Sequence, residues 1–238
     1  MNINRELKII WWAPERCGTK ITAEIFKKFN FEVFEQSTNV FFPLSENYHS
    51  HDIIFPEEFK DYTVICNVRN PYDRIISLYL NFTSLGKNFV WMKTKKPELK
   101  RKINLFCLEL FEYGIKQKLI ENIERKVPVR DYVSKLSFDG KLPDKLIKME
   151  NLYEDISSLD FVQQSKLWTS GELQELIEKN NFLRKNPFHF SDLYDWETAV
   201  RVFNYYKKHF FICDYDPFSF SQTPLTEDEK YKFIHEIL

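Results

Sequence analysis

The chain has 238 residues, a formal net charge of −1 and an aromatic fraction of 17%. Balanced charge provides no global field that would draw the protein to nucleic acid or an anionic membrane, and so aromatic a composition excludes a disordered chain. The length suits a single domain, 1–238, with a substantial core. No signal-like segment and no run of about eighteen apolar residues is present, so the expectation is a soluble, cytoplasmic protein.

The first organised stretch is Lys8–Ile21. Ile9 to Ala13 are apolar without alternation, as expected for a strand covered on both faces. Ile21, Ile25 and Phe29 then recur at helix spacing. A helix that follows a strand through a Gly-containing loop offers uncapped N–H groups and the positive end of its dipole, which suits phosphate or sulfate. The loop is not that of a nucleotide triphosphatase: Ala13 stands where the first Gly would fall, and Lys20 is displaced by one position. Phe31–Phe34 reads as a short strand. His49-Ser50-His51 follows in a loop-rich stretch, and imidazole is the usual group for taking a proton near neutral pH.

Thr63–Val68 is a second buried-strand run, ending in Arg69-Asn70-Pro71-Tyr72-Asp73-Arg74-Ile75-Ile76-Ser77-Leu78-Tyr79. Asn70 suits an N-cap and Pro71 the first helical position. Ile75, Leu78, Tyr79 and Phe82 form a core stripe. Arg69, Arg74 and Ser77 are disposed to converge on one phosphate, with a forked guanidinium supplying paired donors.

These two motifs together resemble the sulfotransferase family. Arg16-Cys17-Gly18-Thr19 is similar to its 5′-phosphosulfate loop, with Glu15 inserted after Pro14 and Lys20 in place of a second hydroxyl. Arg69-Asn70-Pro71 through Arg74, Ser77 and Tyr79 is similar to its 3′-phosphate motif. The resemblance implies a P-loop-like three-layer α/β sandwich with a central parallel sheet. It also implies transfer of a sulfuryl group from 3′-phosphoadenosine 5′-phosphosulfate (PAPS) to an acceptor hydroxyl, such as one on a carbohydrate, leaving adenosine 3′,5′-bisphosphate. Arg16, Cys17, Gly18, Thr19 and Lys20 would hold the phosphosulfate, while Arg69 and Ser77 would select the 3′-phosphate. Arg184 and Lys185 would complete that pocket. Arg16 or Lys20 would stabilise the leaving group. His51, ahead of His49, would be the base, as in the His-x-His of 2-O-sulfotransferases. No metal is required. The rivals are a nucleotide or small-molecule kinase, which would need a hydroxyl after the loop Lys where Ile21 stands, and an inactive nucleotide-binding relative.

Further along, the basic stretch 84–102 reads as a flap or a solvated linker. A helix is expected from Pro97 to Lys126. A third sheet strand, Lys145–Met149, ends at Glu150-Asn151-Leu152, where Met149 replaces the family's usual Tyr. Helices are expected over Leu159–Gln164 and Gly171–Asn181. A last long helix follows, capped by Ser191 or Asp192, with a short strand at Phe210–Cys213. Cys66, Cys107 and Cys213 read as core thiols, and Cys17 as a small residue packed in a tight loop.

Overall fold

The computed structural model describes residues 2–14, 16–33, 57–82, 95–112, 142–182 and 188–236. The strands are β1 (Asn2–Asn4), β2 (Ile9–Trp12), β3 (Glu32–Val33), β4 (Thr63–Val68) and β5 (Lys145–Lys148). The helices are α1 (Thr19–Lys27), α2 (Pro71–Phe82), α3 (Lys96–Glu112), α4 (Leu152–Ser157), α5 (Asp160–Gln163), α6 (Lys166–Thr169), α7 (Glu172–Phe182), α8 (Trp196–Ile212) and α9 (Glu227–His235). The chain is thus mixed α/β. It divides into two compact units, Met1–Arg69 with Val133–Lys185 and Asn70–Tyr132 with Asn186–Leu238.

The first unit holds the whole sheet, in the order β3-β1-β2-β4-β5. β2 and β4, both buried, pair in parallel with Trp12 beside Cys66, and β5 adds in parallel at the edge with Lys148 beside Val68. The expected all-parallel sheet is corrected at its edge, where β1 runs antiparallel to both β2 and β3. The cause is local. Only the turn Arg5–Lys8 joins β1 to β2, and so short a connection can return a strand only as a hairpin. Asn4 Oδ1 accepts from Leu7 N–H at 2.8 Å, and Lys8 takes φ 53°. On one sheet face Trp11, Ile65 and Ile147 pack with Ile21, Ile25 and Phe26 of α1 and with Leu152 and Ile156 of α4. Ile3, Ile10 and Phe59 form a smaller cluster.

The second unit is helical. Asn70 caps α2 as expected: its Oδ1 accepts from Tyr72 N–H at 3.0 Å, and Pro71 opens the helix. Tyr72, Ile75 and Leu78 join Leu99 and Ile103 of α3, Phe203 and Phe210 of α8 and Phe233 of α9 in one core. Two expectations are corrected here. Phe210–Cys213 does not form a strand: Phe210 to Ile212 finish α8 and Cys213 is its C-cap, because Phe203, Tyr206 and Phe210 continue one buried helical stripe. The cap of α8 is Asp195, whose carboxylate accepts from Thr198 N–H at 2.8 Å, and not Ser191 or Asp192. Those two belong to a preceding 3-10 turn.

All four cysteines are buried and none forms a disulfide. Among the described residues no helix is long and apolar enough to cross a membrane, and no group of three or more His, Cys, Asp or Glu is placed to hold a metal.

Candidate anion-binding loop

The first unit brings the end of β2, the start of α1 and the ends of β4 and β5 together. After β2 the chain turns tightly, with Cys17 N–H donating to the Pro14 carbonyl at 3.1 Å. Arg16 adopts φ 65° and Gly18 φ 74°. A left-handed conformation at a residue with a Cβ costs about 1–2 kcal/mol, so Arg16 must be held there by its surroundings.

Strand β4 supplies the hold. Arg69 Nη1 donates to the Arg16 carbonyl at 3.1 Å. Asn67 Nδ2 donates to the Cys17 carbonyl at 2.9 Å and to Thr22 Oγ1 at 2.7 Å. Asn67 Oδ1 accepts from Trp11 Nε1 at 2.8 Å. Asn67 is fully buried, as is Thr22. One amide therefore ties two strands, the loop and the first helix together.

These bonds decide which way the loop's donors face. In a trans peptide the C=O and N–H point in opposite directions. With the Cys17 carbonyl turned onto Asn67, the Gly18 N–H points away from it. No side chain caps α1, no acid stands in its first turn, and its first backbone bond is Thr22 N–H to Gly18 C=O at 3.1 Å. The N–H groups of Gly18, Thr19, Lys20 and Ile21 thus have no acceptor among the described residues. Four adjacent donors at the positive end of a helix dipole make a concavity suited to a tetrahedral oxyanion.

The 3-10 turn Met149–Asn151, which follows β5, closes the loop from its other side. A Cβ at Gly18 would fall inside the van der Waals envelope of Met149 Sδ and Cε. Lys148 N–H donates to Asp155 Oδ2 at 2.6 Å, which fixes the strand end that carries Met149. Burial pushes the Asp155 carboxyl above its ordinary range, partly offset by that backbone bond. Gly18→Ala is expected to lower stability by about 1–2 kcal/mol from the backbone alone. The flexible Met149 end can move, so adding Met149→Ala should relieve contact without recovering the backbone loss. Urea unfolding of the single and double variants measures both parts.

The residues expected from sequence are distributed as follows. Arg16, Cys17, Gly18, Thr19, Lys20 and Arg69 all lie in the first unit. Cys17 is fully buried and Lys20 is exposed. Arg74 and Ser77 are buried positions on α2 in the second unit. His49, His51, Arg184, Lys185, Glu15 and residues 84–94 of the expected flap lie outside the described residues, while 96–102 open α3. Asn67 was missed by sequence reading, since one Asn inside an apolar strand gives no sign of what lies above it. Comparison with known protein families, curated proteins and solved structures finds no match to this chain.

Proposed function

We propose that the chain is a PAPS-dependent sulfotransferase of the three-layer α/β type, with the loop Pro14–Lys20 as the seat of the 5′-phosphosulfate. The observation that carries this reading is the row of outward N–H groups from Gly18 to Ile21, with the Arg69 guanidinium anchored at the same loop. In this reading the loop donors and Arg16 neutralise charge on the bridging oxygen as the S–O bond to phosphate breaks. The acceptor hydroxyl attacks sulfur in line and gives its proton to His51 or His49. Positioning and charge neutralisation supply most of the rate, as in phosphoryl transfer. Arg16 acts as a charge clamp, because a guanidinium does not surrender its proton; Lys20 is the residue able to protonate the leaving group. Arg69 addresses the 3′-phosphate. The parts assigned to Ser77, Arg184, Lys185 and the histidines rest on the motif resemblance alone.

The competing reading on such a loop is a kinase that uses ATP and magnesium. Thermal unfolding separates the two. Adenosine 3′,5′-bisphosphate at 100 times its Kd should stabilise the protein by about 2.7 kcal/mol, and ATP with magnesium should not. Stabilisation by ATP–magnesium without any by the bisphosphate would overturn the sulfotransferase assignment.

A further inference from the structure

The second unit holds a cleft of its own, with a volume of about 460 Å³, within the range of small-ligand pockets. It lies between the first turns of α3, the 3-10 turn that ends at Asp192, and the segment 220–223. Its floor is carbon: Pro97 and the rings of Tyr194 and Phe220. The Tyr194 hydroxyl donates to the Tyr72 carbonyl at 2.8 Å, and burial holds its phenol well above the ordinary range. It therefore serves as a neutral wall.

The charged groups are unevenly matched. Asp192 has a side chain only 15% exposed. Its Oδ1 accepts from Lys96 Nζ and from Gln222 Nε2, each at 2.6 Å. Oδ2 takes no hydrogen bond among the described residues, although the carboxylate is held in a fixed orientation. Lys100, one helical turn beyond Lys96, lines the cleft, and its side-chain ammonium makes no ion pair or hydrogen bond with any described residue. Glu98, the other carboxylate in these turns, is engaged by Lys102, which holds its carboxyl below the usual range.

We propose that this cleft binds a small organic acid that also bears a hydroxyl or amino group, with the carboxylate on Lys100 and the donor on Asp192 Oδ2. A neutral apolar ligand would strip water from both groups and give nothing back. A simple cation would meet two lining lysines, Lys96 and Lys100, against the one lining carboxylate. A ligand with one acid and one donor satisfies both, and its body covers the aromatic floor. Asp192 is already oriented by two donors, so little ordering is required on binding. This inference stands on the second unit alone and is independent of the sulfotransferase reading.

Titration of the full chain, followed by calorimetry and by amide chemical shifts, tests it with 4-hydroxybenzoate for the hydroxyl class and L-phenylalanine for the amino class. Benzoate is the control that keeps the acid and ring without the donor. At least one probe should bind about 10-fold tighter than benzoate, with shifts at Asp192 and Gln222, and whichever probe does so identifies the class. Lys100→Ala, at a partly buried position on the helix surface, should weaken that probe about 10-fold without altering the fold. Asp192→Ala should bring its affinity down to that of benzoate. The absence of saturable binding by both probes, equal binding of benzoate, or an unchanged affinity in Lys100→Ala would overturn the proposal.

Discussion

Asn67→Leu is expected to lower the unfolding free energy of the chain by about 3–5 kcal/mol, among the largest effects of any single substitution in the first unit. The leucine keeps the branching at Cγ and leaves no cavity, so the loss comes chiefly from stranded polar groups. The Cys17 carbonyl and Trp11 Nε1 lose partners that they reach at 2.9 and 2.8 Å, and Thr22 Oγ1 loses a donor at 2.7 Å. Each orphaned buried group costs about 1–3 kcal/mol, and the three are coupled through one amide. Urea denaturation measures the loss. Asn67→Asp gives a second, sharper test, since it keeps shape and removes the donors. A carboxylate there would face the Cys17 carbonyl in a fully buried place, so its folded pKa should lie above the unfolded value of about 3.9. A raised folded pKa gives stability that is present at low pH and lost as pH rises through that folded value. Asn67→Asp should therefore be least stable near neutrality and should partly recover on acidification. Losses below about 1 kcal/mol in both variants would show that the amide does not organise the loop.

That dependence on a single amide explains where sequence reading succeeds and where it stops. β2 and β4 are largely apolar runs, and parallel strands buried on both faces are expected to look so; β5 is shorter and flanked by lysines, with Ile147 as its buried residue. α1 and α2 carry four-residue stripes and, for α2, the Asn70-Pro71 start. β1 is a different case. Asn2-Ile3-Asn4 has one apolar residue, and its stability derives from pairing with Trp11, Ile10 and Ile9, which no local pattern reports. The run Phe210–Cys213 is rich in residues that favour strands, yet its spacing to Phe203 and Tyr206 places it in a helix core. There tertiary burial outweighs propensity. α9 was legible and overlooked: Thr226 and Glu229 form a capping box, with Glu229 Oε2 accepting from Thr226 N–H at 2.8 Å, and the Thr-x-x-Glu spacing announces it. The loop Pro14–Lys20 was visible as a kind of turn, but what orients its backbone donors was not. Its carbonyls are turned inward by Asn67 and Arg69, residues about fifty positions away, and only the parallel register of β2 on β4 puts them there.

Arg69→Ala is expected to weaken binding of adenosine 3′,5′-bisphosphate by about 2–4 kcal/mol, roughly 30- to 1,000-fold, as for removal of a charged hydrogen-bonding partner. Two roles contribute to the loss. In the sulfotransferase reading the guanidinium meets the 3′-phosphate. In the structure it also holds the Arg16 carbonyl at 3.1 Å, and so maintains the left-handed turn that aims the loop donors. A guanidinium carries five N–H donors in a planar fork, so the two roles are compatible. They separate experimentally when adenosine 5′-phosphate is measured beside the bisphosphate. Loss of the loop tether alone should weaken both ligands alike, by about the 1 kcal/mol of one hydrogen bond. Loss of a 3′-phosphate contact adds a further penalty for the bisphosphate only, expected to be at least about 1.4 kcal/mol, or tenfold. Arg69→Lys refines the division. Its single ammonium can serve the carbonyl or the phosphate as a point charge, so it should recover part of the bisphosphate affinity and not all of it. Equal losses for the two nucleotides in Arg69→Ala would leave Arg69 as a tether of the loop and would remove it from nucleotide recognition.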